Sequence, residues 1–228
     1  MRSDNAEPMW PALIWQQSLP QIGEYWVHEY RCDPPMPADR WPVNLQLNDQ
    51  TLLLSIKDQG QRIQFLSRQE NAPDAGQSVH KNPNHQNHQA WWFLQDIVPA
   101  AGQRGDSESE SGEGPNGRDH PLCLLADGLS LATALHLCEQ LKTRYALTVI
   151  AHSDQGFPFP VKPARFLLPG FPPEAMGAAT LLEDWGIPNR LCARQGQPGC
   201  FEGNLNELMT QWTPPSHSRL FDVTRLLA

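Results

Sequence analysis

The stretch Pro121–Leu141, PLCLLADGLSLATALHLCEQL, decides how this chain is read. Cys123 to Leu125 make a short buried strand, Ala126-Asp127-Gly128-Leu129 a turn of small and polar residues, and Ser130 to Leu141 a helix. Leu131, Leu135, Leu137, Cys138 and Leu141 spread along one apolar face of that helix. Strand, tight turn and helix in that order open a parallel α/β unit. Downstream, ALTVIA at Ala146 to Ala151 is a second continuous apolar strand, of the kind found in sheets covered on both faces. ARFLL at Ala164 to Leu168 is predicted as a third strand, RLCA at Arg190 to Ala193 as a fourth and RLFDV near the end as a fifth. PPEAMGAATLLEDWGIP holds a helix with proline near its start and Gly186 just past its end, and GNLNELMTQW holds another. This alternation predicts a doubly wound parallel sheet over residues 121–228.

Upstream the period changes. YWVHEY, VNLQL at Val43 to Leu47, TLLLSI at Thr51 to Ile56 and RIQFL at Arg62 to Leu66 read as strands. Val43, Leu45 and Leu47 alternate with Asn44 and Gln46, as in a half-buried strand. Asn48-Asp49-Gln50 and Lys57-Asp58-Gln59-Gly60-Gln61 supply the polar turns. Residues 21–100 are therefore expected to form an antiparallel β-barrel. Residues 1–20 read as a Trp/Pro-rich arm, with Trp10 and Trp15 available for docking and at most one helical turn at LIWQQ. Residues 69–90 hold almost nothing that can be buried and are expected to be a mobile loop. Its His80, His85 and His88 read as part of a polar tract rather than as a metal site. AWWFLQDIV at Ala90 to Val98 is a short helix or a last strand, and the acidic, Gly- and Ser-rich residues 101–120 are a linker.

Composition narrows the classes of function. The chain has 228 residues and a formal charge of -8, which disfavours a nucleic-acid groove, because phosphate binding needs clustered Lys and Arg. No apolar run approaches the roughly 20 residues needed to cross a bilayer, and MRSDNAEPMW has no secretory h-region, so the expected location is cytoplasmic. Five cysteines, Cys32, Cys123, Cys138, Cys192 and Cys200, include no C-x-x-C pair. They predict reduced, buried thiols and no zinc site. The 22 prolines and 8 tryptophans predict irregular packing around large aromatic anchors.

An N-terminal barrel followed by an α/β sheet, with these motifs, resembles the ferredoxin-NADP reductase superfamily. The likeness is nearest to the electron-transfer subunit of dihydroorotate dehydrogenase. RWPVNLQLNDQTLLLSIKDQGQRIQFL runs parallel to that family's flavin-binding Arg-Pro-x-Ser segment, with Leu54, Ser55 and Ile56 on its x-Ser-Ile and Leu52 and Leu53 where arginine and proline stand. The resemblance places a nicotinamide dinucleotide at the turn Asp127, Gly128, Leu129 and Ser130, where the family has a glycine-rich loop. It also places Gly199, Cys200 and Gly203, with Phe201, on the loop after the fourth strand. Phe221-Asp222 stands near the family's Cys-Gly-Pro. FAD and NAD(P) are the cofactors implied. The cysteine cluster that holds the family's [2Fe-2S] centre is not found, so no iron–sulfur cluster is expected.

The departures are as informative as the matches. Replacing the family's arginine by leucine removes a charge-assisted fork on the flavin pyrophosphate. Asp127 places a carboxylate where it can cap the helix and occupy the amides that a phosphate would use. The expected function is a non-catalytic or accessory subunit of a redox system with weakened or lost FAD and NAD(P) binding, paired with a redox protein or with a second copy. The alternative is an active NAD(P)H-dependent flavin oxidoreductase that passes electrons to a protein partner. Nothing points to another enzyme. Gly128-Leu129-Ser130-Leu131-Ala132 is not a nucleophile elbow, His136 is a lone helix histidine, and Cys200 at a helix start reads as a small buried hydrophobe.

Overall fold

The computed structural model describes residues 11–37, 41–42, 45–48, 50–73, 121–194, 196–215 and 218–226. The histidine-containing loop 80–88, the segment 90–98, the linker 101–120 and Trp10 lie outside the described residues, as do the readings that fall on them.

The N-terminal half is a five-stranded antiparallel sheet of β1 (Ala12–Pro20), β2 (Trp26–Asp33), β3 (Gln46–Asn48), β4 (Thr51–Lys57) and β5 (Arg62–Ser67), in the order β1-β2-β5-β4-β3. It curves as a half-barrel around Tyr30, Leu53, Ile56, Ile63 and Phe65, with Tyr30 edge-on to Phe65 at 5.6 Å between ring centroids. β1 corrects the expectation of an arm with a helical turn. Pro11 and Pro20 frame the strand instead of breaking a helix, and its outer edge tolerates proline because no neighbouring strand among the described residues needs that N–H.

The C-terminal half is a five-stranded parallel sheet of β6 (Leu122–Asp127), β7 (Leu147–His152), β10 (Asn189–Ala193), β11 (Phe201–Glu202) and β12 (Arg219–Asp222), ordered β11-β10-β7-β6-β12. A small antiparallel ribbon, β8 (Val161–Pro163) and β9 (Gly177–Ala179), is inserted before β10. Alternation along β6 feeds two cores. Leu122, Leu124 and Ala126 face helix α1 (Ser130–Leu141), whereas Cys123 and Leu125 face the side of α3 (Leu205–Gln211) and its Leu208. That two-faced burial explains why β6 and β7 read as unbroken apolar runs.

Two further expectations are corrected. The ARFLL segment is not a strand. Pro163 and Pro169 bracket it, and the chain there is held by Arg165, whose backbone N–H donates to Glu183 Oε2 at 2.7 Å. The predicted long helix before Gly186 shrinks to α2 (Thr180–Asp184), because β9 takes the residues before it. Gly177 accounts for the ribbon: a Cβ there would sit 2.8 Å from Gly199 O and 2.6 Å from Val161 Cγ1.

Helix α1 is the joint between the halves. Ten of its twelve residues are buried, more than a one-faced amphipathic helix would show. One side lies on β6 and β7. The other meets β4, where Ala132 packs with Tyr25, Leu52 and Leu66, and where Leu54 touches both this cluster and the α/β core.

Candidate functional site

The strand order reverses at β6, with β7 and β10 on one side and β12 on the other. In parallel α/β sheets the crevice beyond the carboxyl ends of the strands at such a reversal is where ligands bind. Here it is bordered by Asp127 and Gly128 after β6, by Asp222 after β12 and by the first turn of α1.

Asp127 does not cap α1, contrary to the sequence expectation. The helix begins after Leu129, which is in helical geometry, and it has no side-chain cap. The Asp127 carboxylate turns sideways and accepts from His152 Nδ1 at 2.7 Å, while Ser130 Oγ accepts the Asp127 backbone N–H at 2.7 Å. A hydrogen bond accepted by a carboxylate is charge-assisted, which makes the imidazole N–H the stronger attraction. His152 is only 4% exposed. Its Nε2 comes within 3.1 Å of Asp154 Oδ1 without hydrogen-bond alignment, and Asp154 in turn lies 3.8 Å from Arg194 Nε. Asp222 is also committed locally: Oδ1 accepts from the Thr224 backbone at 3.0 Å, and Arg225 Nε stands 3.6 Å from Oδ2.

Gly128 keeps a left-handed φ of 56°, and a Cβ added to it would meet no atom of the described residues within 4 Å. Among the described residues, space therefore lies open over the turn beside Asp127.

The flavin-side positions are used differently. Ile56 points into the half-barrel core, and Ser55 Oγ donates to Gln64 Oε1 at 2.7 Å. Gln64 donates to Glu29 Oε2 at 2.9 Å, so Ser55 ends a polar ladder that crosses the strands. Leu54 occupies the seam against α1. Lys57 and Glu139 close the far end of that seam at 2.6 Å. At the near end Tyr25 Oη accepts from Arg68 and donates to Gly156 O at 3.1 Å, with Ser153 Oγ 3.4 Å away.

Gly199, Cys200 and Gly203 lie beyond β10 and around β11, at the opposite side of the sheet from β12. The structure does not bring them to the turn at Asp127–Ser130. Gly203 precedes Asn204, which caps α3 in a reciprocal capping box with Glu207. Burial pushes the Cys200 thiol up to about 11, which suits an inert side chain. All five cysteines are free and buried, as the sequence predicts.

Sequence reading missed His152, Asp154, Tyr25 and Arg68. A signal for His152 was present: it is the first polar residue after the apolar run of β7, at the carboxyl end of a parallel strand. Tyr25 and Arg68 carry no such signal, because Tyr25 bonds to Gly156 on the other half of the chain and Arg68 has Tyr25 itself as its partner.

Among the described residues no helix is long and apolar enough to cross a membrane. No protein-family model matches the chain, and no curated protein matches it. Solved structures do. The flavohemoglobin from Malassezia yamatoensis with bound FAD and heme aligns with a TM-score of 0.52 at 10% identity, over 94% of this chain and 53% of its own. The chain thus spans about half the length of that protein. The flavohem-like FAD/NAD-binding domain of nitric oxide dioxygenase from Vibrio cholerae gives 0.49 at 12% identity, covering 96% of this chain and 92% of that one. The siderophore-interacting protein from Acinetobacter baumannii gives 0.47 at 7% identity, covering 94% and 80%. With its antiparallel half-barrel leading into a parallel sheet, the chain has the fold of the ferredoxin-NADP reductase-like FAD- and NAD-binding domains.

Proposed function

We propose that this chain is a reductase-fold accessory protein of a redox system, in which the flavin position is filled by the protein itself. The observation that carries this reading is the direct seating of α1 on β4. All three residues matched to the flavin segment are committed elsewhere: Leu54 to the α1 seam, Ser55 to Gln64 and Ile56 to the half-barrel core. Leu52 and Leu53, which stand at the matched arginine and proline, are buried in apolar clusters and offer no charge to a pyrophosphate. Those residues do not fit FAD. The finer likeness to the dihydroorotate dehydrogenase subunit rests on sequence pattern alone. Titration of the purified full chain with FAD, followed by visible absorbance after desalting, tests the reading. Absence of a retained flavin band is the expected result, and stoichiometric flavin would overturn it.

A second reading is favoured by one observation, the open space over Gly128 at an uncapped helix start. The amides of Asp127, Gly128, Leu131 and Ala132 are bonded to Ser130 Oγ and to the carbonyls of His152, Gly128 and Leu129, which leaves the Leu129 and Ser130 N–H groups to meet the pyrophosphate of a nicotinamide dinucleotide. The residues fit that group in part, since two amides face it while the Asp127 carboxylate opposes its charge. Quenching of tryptophan fluorescence by NADH without FAD would support retention of this half of the ancestral chemistry. When bound, such a dinucleotide supplies hydride.

A further inference from the structure

Four of the eight large apolar side chains exposed among the described residues fall within nine positions at one edge of the antiparallel sheet. They are Ile14 at 38%, Trp15 at 53%, Leu19 at 41% and Ile22 at 55% exposure. Three lie on β1, whose only strand partner among the described residues is β2. At nine residues β1 is about 30 Å long. Natural sheets blunt such an edge with lysines or other charges. Here residues 11–23 contain no charged residue, although 18% of the chain is charged. Three features of β1 are protective: the bulge between Trp15 and Gln17, Pro20 at its end, and Gln16, whose side-chain amide donates to the carbonyls of Ile14 and Trp15 at 3.1 Å each. No described residue covers the apolar side chains, and beside them a hollow of about 490 Å³ is lined by Trp15, Trp26, Glu70 and Ala72.

We infer that this edge is the interface between two copies of the chain, set antiparallel across a twofold axis with Ile14, Trp15, Leu19 and Ile22 buried between them. Charge selects this occupant. Two chains of formal charge -8 repel over most of their surface, and the uncharged run is where they can meet with few like charges in contact, Glu70 being the one carboxylate that lines the hollow. A basic partner would find no carboxylate on the strand and a single one, Glu70, in the hollow. Twofold pairing is also self-limiting: each copy offers one Trp15 and one hollow, and the pair uses both edges at once, so the assembly closes. The inference rests on the β1 edge and is independent of the cofactor reading.

Sedimentation equilibrium of the full chain from sub-micromolar to high micromolar concentration tests it. The expected result is a reversible shift from 25.6 kDa to twice that mass. Ile14→Lys with Leu19→Lys should weaken association at least a hundredfold while leaving the far-ultraviolet dichroism unchanged. Should that double variant lose its sheet signal, Ile22→Lys, placed in a turn outside any strand, decides the matter by a tenfold or greater weakening. A mass of 25.6 kDa at every concentration overturns the inference, even if another protein is then found to bind the edge. So does a dimer that survives the lysine substitutions intact.

Discussion

His136 is the residue whose chemistry departs furthest from its ordinary behaviour. It sits in the middle of α1, fully buried on the side that meets the N-terminal half, and its ring lies beside the Pro42 backbone with neither nitrogen in an aligned hydrogen bond. Burial pushes its pKa down to about 4, against partial support from Glu139 and Pro42. The unfolded chain takes up this proton near pH 6.5, so between 6.5 and 4 the unfolded state binds more protons than the folded one. Stability from this group is therefore full above pH 6.5, declines as pH falls through that window, and is about 3 kcal/mol lower below pH 4. Urea unfolding at pH 7 and pH 5 should show about 2 kcal/mol of that loss in the wild type, and His136→Leu should remove that share of the slope. An unchanged slope in the variant would mean that the imidazole is already charged. Asp127 gives a second expectation at this scale. Asp127→Asn removes one negative charge from the crevice and should tighten inorganic pyrophosphate binding about fivefold, read by calorimetry at low salt.

Among the elements, the strand-turn-helix of β6 and α1 was legible because a parallel strand covered on both faces is apolar throughout and the helix keeps a leucine stripe. Its bounds match the sequence reading from Ser130 to Leu141. What could not be read was the second buried face. Ala132, Thr133 and His136 look like a solvent-facing side, since small and polar residues are compatible with water, and only β4 packing on them reveals otherwise. β1 escaped notice for a related reason: prolines at its two ends are helix breakers in sequence but harmless at an outer edge. The candidate site divides the same way. The turn at Asp127–Ser130 could be read from its residues as the link between strand and helix, whereas the Asp127–His152 pair depends on β6 and β7 being neighbours in register. Gly177 offers a test of element geometry. Gly177→Ala drives a methyl into the Gly199 carbonyl and should cost about 2–4 kcal/mol by chemical denaturation. Gly128→Ala meets no atom, so it should cost only the positive-φ penalty of about 1–2 kcal/mol.

At the scale of the whole molecule, the two halves share a structural element rather than merely touching. α1 contributes Leu131, Leu135 and Leu137 to the α/β core and Ala132 to the seam cluster with Tyr25, Leu52 and Leu66. Leu54 lies against both, and the seam is pinned at its ends by Lys57–Glu139 and by the Tyr25 bond to Gly156. The polar pins add little by themselves, because a partly exposed ion pair is worth about 0–1 kcal/mol. The apolar contact is the larger contribution, since the burial of a side chain such as Leu52 is worth about 1.5–3 kcal/mol. Loss of the N-terminal sheet would therefore expose one face of α1, and loss of α1 would open the α/β core, so the halves should unfold together. A single calorimetric transition, with calorimetric and van't Hoff enthalpies equal, is expected for the wild type. Ala132→Glu places an unpaired carboxylate in the fully buried seam and should destabilise docking by several kcal/mol while leaving each sheet's own core intact. Its thermogram should separate into two transitions, the lower one carrying the loss of the Tyr25 environment in near-ultraviolet dichroism. Two transitions in the wild type, or one undivided transition in Ala132→Glu, would show that the halves are coupled through something other than α1.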